Sequence, residues 1–183
     1  THSLRQRVWP KLLNLNRYEI IDFRSSINGK VSMEDDHQVC CDVDRSLWSV
    51  VQSAHWNDAL RSLRRNSLYH MILAVLIRNK NLHYYQGYHD LVSVFLLVIE
   101  DDYLAFQLIE AVSQRYLSDN MRKDFNIITQ ILPLILKLIE ESDNELYSFI
   151  SDAGIEPFFS LSWIITWFSH DIKDLDKIAR LYD

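Results

Sequence analysis

A chain of 183 residues, 48% of them hydrophobic, is long enough for one domain with a sizeable core and too short for two. Only three glycines and three prolines disfavour turn-rich β-sandwiches and barrels, while long apolar stretches without breakers favour helices, so the expected class is all-α. The net charge of −6, with basic residues scattered apart from Arg61, Arg64 and Arg65, argues against a nucleic-acid ligand, which calls for a basic stripe.

Leu4, Val8, Leu12, Leu13 and Leu15 predict a short first helix with Trp9 flanking its apolar face, bent or divided at Pro10. Residues 17–36 lack helical periodicity and contain Asn28-Gly29, a turn signal, so they read as an internal linker crossing the surface. Val39, Val43, Leu47, Val50 and Val51 are compatible with a helix from His37 to about Ser53. Asn57 or Asp58 caps the next helix, whose Leu60, Leu63, Leu68, Ile72, Val75 and Leu76 recur at three-to-four spacing up to Asn79 and Asn81. The polar-aromatic junction His83-Tyr84-Tyr85-Gln86-Gly87-Tyr88 follows, then a buried helix from about Asp90 to Ile99.

Asp101 and Asp102 read as caps of a helix carrying Leu104, Leu108, Ile109 and Val112. Ile128, Ile131, Leu132, Ile135 and Ile139 mark one amphipathic helix kinked at Pro133. A short helix over Asn144 to Ser151 stops at Gly154. Pro157 opens an aromatic helix with Phe158, Phe159, Trp163, Trp167 and Phe168, and a last helical pattern covers Leu175 to Tyr182. No repeat, low-complexity tract or internal boundary interrupts residues 1–183, which predict one irregular helical domain.

The adjacent Cys40 and Cys41 are the chain's two cysteines; neighbours rarely form a bridge and two thiols close no zinc site, which points to a reducing compartment. The longest apolar run, residues 92–99, falls short of the roughly 18–20 residues that span a bilayer and reads as buried core. No signal peptide is visible, and a start at Thr1 instead of Met predicts a piece of a longer chain.

Two segments carry chemistry. Gln86 lies beside a glycine at the entrance to a strongly apolar helix, where unpaired N–H groups and the positive end of the dipole suit an anionic ligand. The structural alternative is a polar loop whose tyrosines cap the core. Asp42 and Arg45, three apart on a helix, share a face, so the carboxylate can steady the guanidinium. The alternative there is an ordinary surface ion pair worth about 0.3–0.5 kcal/mol.

Arg7, Trp9 and Leu12 fit an R-x-W-x-x-L pattern, Val39, Asp42 and Arg45 fit I/V-x-x-D-x-x-R, and Tyr84 and Gln86 fit Y-x-Q. The Trp163–Phe168 stretch and Arg180-Leu181-Tyr182-Asp183 fit an aromatic helix and an R-L-W/Y-D segment. On these motifs, in this order, the chain resembles the TBC domain of Rab GTPase-activating proteins over essentially its whole length. The resemblance implies that Arg45 is an arginine finger and that Gln86 orients the attacking water on a Rab-family small GTPase. An arginine supplied in trans is worth about 10³ to 10⁵ in rate in the Ras system. By the same resemblance Asp42 orients Arg45, and Tyr84 and Gly87 shape the Gln86 loop. GTP and Mg²⁺ belong to the Rab, so the chain is expected to need no cofactor or metal. It is expected to bind no nucleic acid and to meet membranes only through segments outside this sequence. Its expected place is the cytosol or the cytosolic face of endoplasmic reticulum or early secretory membranes, in vesicle trafficking.

The sequence departs from the family twice. Ser46 to Val51 lacks the aromatic-Pro or Pro-Gly break that follows the family's arginine, so the helix is expected to run on. The family's domain continues beyond the R-L-W/Y-D segment, so the chain is expected to be incomplete at its C-terminal end. The Trp163–Phe168 and Ile178–Tyr182 region would then be partly uncovered. Two rivals stand beside this reading. A metal-dependent HD-type phosphohydrolase would build on His89-Asp90 with His55, His70, Asp171 or Asp174, whose spacing shows no clear pattern. A non-catalytic helical module would bind a Rab or another protein without accelerating hydrolysis. The five tryptophans read as core and interface anchors, the Asp101-Asp102 and Glu140-Glu141 pairs as caps and solvated helix ends, and Arg61, Arg64 and Arg65 as a solvated face.

Overall fold

The computed structural model describes residues 2–47, 56–124 and 126–183, and among them every regular element is helical. The first half holds α1 (His2–Leu12), α2 (Phe23–Ser26), α3 (Met33–Asp44), α4 (Asp58–Arg78) and α5 (Tyr88–Val98). The second holds α6 (Asp102–Arg115), α7 (Asn126–Ile131), α8 (Leu134–Ser142), α9 (Asn144–Asp152), a 3₁₀ turn (Pro157–Ser160), α10 (Leu161–Ile165) and α11 (Leu175–Leu181). No described helix is long and apolar enough to cross a membrane.

The axis of the fold is α4, which packs against α2, α3, α5 and α6. It starts where Asn57 accepts the Leu60 amide at 2.8 Å, and its residues Ser67 to Leu76 are all buried except Tyr69 and His70. The apolar run in α5 is buried nearly throughout, as its length and composition predict. Asp101 caps α6 through the Tyr103 and Leu104 amides. Asp102 is not a cap: its carboxylate accepts from Arg24 Nη2, Arg64 Nη1 and Ser67 Oγ, each at 2.9 Å, and so ties α2, α4 and α6 together.

Elsewhere tertiary contacts override the local pattern. The face that α1 buries carries Arg5, Trp9 and Pro10, while Leu4, Val8 and Leu12 stay exposed. Arg5 grips Asp183 with Nε at 2.9 Å and Nη2 at 3.0 Å, Trp9 Nε1 donates to the same carboxylate at 3.1 Å, and the Trp9 ring meets Phe95 edge-on. A guanidinium held by two parallel bonds to a carboxylate can lie under cover at reduced cost, which frees this face for burial. Pro10 does not divide the helix. Residues 17–36, expected as a surface linker, include α2 and the start of α3. Fully buried Phe23 stacks on Phe106 with centroids 4.8 Å apart, and Gln107 Nε2 donates to the Glu19 carbonyl.

One further helix starts earlier than its periodicity suggests, and two are divided. Ser32 accepts the Asp35 amide at 3.0 Å and opens α3 at Met33; this helix ends at Asp44, and the expected stretch from 48 to 53 lies outside the described residues. The expected single helix around Pro133 is two, α7 and α8, because proline brings no N–H and its ring crowds the preceding turn. The aromatic helix is likewise divided, a 3₁₀ turn and then α10, with Trp167 and Phe168 beyond it at φ of 49° and 66°. Its outer side leaves Phe158, Phe159 and Phe168 exposed, and the uncovered apolar face continues onto α8 and α9, where Leu138 is 64% and Phe149 67% exposed.

Candidate functional site

Arg45 is the C-cap of α3, where a cation meets the negative end of the helix dipole. Its Nη2 donates to Asp42 Oδ1 at 2.5 Å and its Nε to the Cys41 carbonyl at 3.2 Å. The Asp42 side chain is 4% exposed and that of Arg45 70%, so a buried carboxylate anchors a guanidinium that faces solvent. The helix does not run on after Arg45. Ser46 Oγ folds back on the Val43 carbonyl at 2.7 Å, and Arg65 on α4 holds the Ser46 carbonyl through Nε at 3.1 Å and Nη2 at 2.6 Å. Leu47 then takes a φ of 61° with its side chain buried, a conformation that a leucine keeps only where its surroundings impose it. The three arginines expected on a solvated face are therefore partnered: Arg61 with Asp58, Arg64 with Asp102 and Arg65 with Ser46.

Gln86 sits on a loop pinned on both sides. The His83 amide donates to the Met121 carbonyl at 2.8 Å and the Tyr84 amide to Asp35 Oδ1 at 3.1 Å. Tyr85 Oη reaches the Ile165 carbonyl at 2.7 Å, and Tyr88 Oη pairs with Ser113 at 2.6 Å. Gly87 is the N-cap of α5 at φ 99°, and a Cβ there would lie 2.8 Å from Thr166 Cγ2. Both observations require glycine. Within residues 84–88 only Gln86 is exposed.

The two halves of the site meet through hydroxyl and imidazole. Tyr84 Oη donates to Asp42 Oδ2 at 2.9 Å and lies 3.0 Å from His89 Nδ1. Burial, and then the Asp42 carboxylate, push the Tyr84 pKa far up, so the hydroxyl keeps its proton. Burial lowers the His89 pKa, against the opposing pull of Asp90 and Asp42. Asp90 Oδ2 in turn meets His170 Nδ1 at 2.7 Å. Arg45, Gln86, Asp42 and Tyr84 line one cleft of about 720 Å³, whose far wall is Leu161, Ser162, Thr166, His170 and Lys173. A smaller hollow of about 320 Å³ opens beside it and shares Arg45 and Gln86 with Glu34, His37 and Cys41.

The structure thus brings Asp42, Arg45, Tyr84, Gln86 and Gly87 to one place. It does not assemble the phosphohydrolase constellation. His89 and Asp90 are neighbours, but Asp171 accepts from Ser162, Asp174 caps α11, His70 lies on α4 beside Tyr69, and His55 is outside the described residues. Among the described residues no group of three His, Cys, Asp or Glu side chains is placed to hold a metal ion. Sequence reasoning read Arg65 as part of a solvated face and weighed His89 only as a metal ligand; the Ser46 carbonyl and the Tyr84 hydroxyl that they meet belong to other segments. Arg7, of the opening motif, is exposed, while Arg5, one turn before Trp9 on the same face and not singled out in the sequence, binds Asp183.

The Rab-GTPase-TBC domain family matches residues 2–183. TBC1 domain family member 20 of Homo sapiens is 38% identical over 183 residues, which is 100% of this chain and 44% of that protein. GTPase-activating protein gyp10 of Schizosaccharomyces pombe is 33% identical over 181 residues, 99% of this chain and 47% of its own length. GTPase-activating protein GYP8 of Saccharomyces cerevisiae is 30% identical over 196 residues, 96% of this chain and 38% of its own length. The chain therefore spans less than half the length of these relatives. With a match from His2 to Asp183 laid on an all-helical fold, the chain belongs to the Rab-GTPase-TBC domain family.

Proposed function

We propose that this chain accelerates GTP hydrolysis by a Rab-family small GTPase, delivering Arg45 and Gln86 to nucleotide held by the partner. Hydrolysis builds negative charge on the β–γ bridge and γ-phosphoryl oxygens, and a guanidinium fixed from behind stabilises that charge without reorganising at the moment of reaction. The side-chain amide of Gln86 both donates and accepts, which suits it to hold the attacking water in line. GTP and Mg²⁺ come with the Rab in this reading, so the chain brings no cofactor. The reading includes action in the cytosol or at the cytosolic face of early secretory membranes, in vesicle trafficking, an expectation carried by the family resemblance.

The observation that carries the proposal is the pairing of two exposed polar side chains, on separately buttressed backbones, at the mouth of one cleft. Single-turnover GTP hydrolysis by a panel of Rabs, with the wild-type chain, Arg45→Ala and Gln86→Ala, tests it. The expected result is acceleration of one or more Rabs by about 10³-fold or more, with most of it lost in each variant. Acceleration that survives Arg45→Ala, or none from a folded chain, rejects the mechanism. A second reading, a module that binds without catalysis, draws support from the uncovered apolar face of α8 and α9; Rab binding with unchanged hydrolysis would select it.

A further inference from the structure

His89 belongs to neither motif pair, yet both walls of the cleft converge on it. It is the second residue of α5, with its carbonyl taken by Ser93 Oγ at 2.6 Å and its side chain only 12% exposed. Nδ1 lies 3.0 Å from Tyr84 Oη and 3.7 Å from Asp42 Oδ2. Nε2 lies 3.5 Å from Asp90 Oδ1, and the other oxygen of Asp90 meets His170 on the far wall.

Counting protons assigns the direction of the chain. A tyrosine hydroxyl has one proton, and at 2.9 Å from Asp42 Oδ2 that proton goes to the carboxylate. The hydroxyl oxygen is then an acceptor, so the contact at 3.0 Å requires His89 Nδ1 to carry a hydrogen. Burial disfavours the imidazolium against the pull of Asp90 and Asp42, and Nδ1 carries the hydrogen in either charge state; Nε2 approaches Asp90 only to 3.5 Å. The ordered sequence is His89 Nδ1–H to Tyr84 Oη, Tyr84 O–H to Asp42 Oδ2, and Arg45 Nη2–H to Asp42 Oδ1.

We infer that His89 is a positioning residue for Arg45: by donating through Nδ1 it commits the Tyr84 hydroxyl to Asp42, and so fixes the carboxylate that aims the guanidinium. The inference rests on the reading of Arg45 as the group delivered to GTP. Without the imidazole donor the hydroxyl oxygen is left unpaired inside the protein, and the phenol can turn to relieve it. Asp42 then keeps Arg45 but loses the bond that holds its own second oxygen. A guanidinium displaced by about 1 Å from its productive position costs on the order of 100-fold in rate.

Isosteres separate the two ring nitrogens. His89→Asn places an amide nitrogen where Nδ1 sits, His89→Gln places one near Nε2, and His89→Leu supplies neither. At saturating activator, single-turnover hydrolysis by a responsive Rab is expected to fall about 10- to 100-fold for Gln and Leu and to stay within about threefold for Asn, with Rab affinity unchanged in all three. The inference is overturned if Asn falls with Leu, if Leu retains the wild-type rate, or if the loss lies in affinity alone.

A second measurement needs no GTPase. The Arg45 Nη2–H resonance of the free protein is expected to exchange slowly with water in the wild type and in His89→Asn. In Gln and Leu it is expected to merge with the exposed arginines. An unchanged Arg45 resonance in both of those variants, each with a wild-type melting transition, overturns the inference. If the wild type activates no Rab, the proposed function fails while this measurement still decides what His89 does to Arg45.

Discussion

Gly87 offers a test of how the glutamine loop is held. Replacing it with alanine imposes two separable costs. The first is conformational: an L-residue at φ 99° is disfavoured by about 1–2 kcal/mol. The second is steric, because the new methyl lies 2.8 Å from Thr166 Cγ2. Thr166 cannot simply turn away. Its hydroxyl donates to the Ser162 carbonyl at 2.6 Å and accepts the His170 amide at 3.3 Å, so a rotation exchanges one clash for two broken bonds. Overpacking of this kind costs about 1–3 kcal/mol, which puts Gly87→Ala at about 2–5 kcal/mol in all. Thr166→Ser removes the offending methyl and keeps the hydroxyl. Urea unfolding followed by circular dichroism, on wild type, both single variants and the double variant, measures the coupling. Gly87→Ala should cost only about 1–2 kcal/mol in the serine background, a coupling of about 1–3 kcal/mol. Equal costs in the two backgrounds would refute the steric half of the argument, and a cost near zero would refute both halves.

Two other outcomes follow from carboxylates shared by several donors. Arg5, with Arg180 and Trp9 behind it, holds the Asp183 carboxyl down at about 2 against an ordinary 3.8. The resulting stability is present above pH 3.8 and is lost as pH falls toward 2. With a quarter of the side chain in solvent, the gap between wild type and Asp183→Asn should be about 1–2 kcal/mol at neutral pH and close in that acid window. A gap that is unchanged in acid would disprove the linkage in chemical-denaturation curves. Asp102→Ala deletes an acceptor shared by two arginines and a serine and should destabilise by about 2–3 kcal/mol, whereas a loss under about 0.5 kcal/mol would class those pairs with ordinary surface ion pairs.

What could be read from the sequence was whatever is settled within a few residues. Asn57 and Asp101 cap the helices they precede, and the Asp42–Arg45 spacing brings the two side chains together, because each depends only on helix geometry. Gln86 beside Gly87 was legible for the same reason. Arg5 was not: its partner Asp183 is 178 positions away, and a cation on an apolar face reads as a mistake until the carboxylate is in view. Phe23 sits in an aperiodic stretch, and its burial follows from Phe106 and Tyr103 on α6 and from the packing of α2 on α4. Nor does the residue type of Leu47 announce its left-handed backbone, which follows a carbonyl gripped by Arg65 from another helix. The role of His89 required counting a proton on Tyr84, and that count needs distances.

The grip of Arg5 and Trp9 on Asp183 also sets an order of events during synthesis. On a ribosome the chain emerges N-terminus first, so α1 appears long before its carboxylate does. Until residues 176–183 are out of the exit tunnel, Arg5 lacks the carboxylates it faces in the fold and the Trp9 N–H lacks its acceptor. Closing a loop of 178 residues is then among the last steps, after α4, α5 and α6 have provided the surface on which α1 lands. Among the described helices α1 is thus made early and seated late, and a holding chaperone would find its Arg5–Trp9 face available throughout that interval.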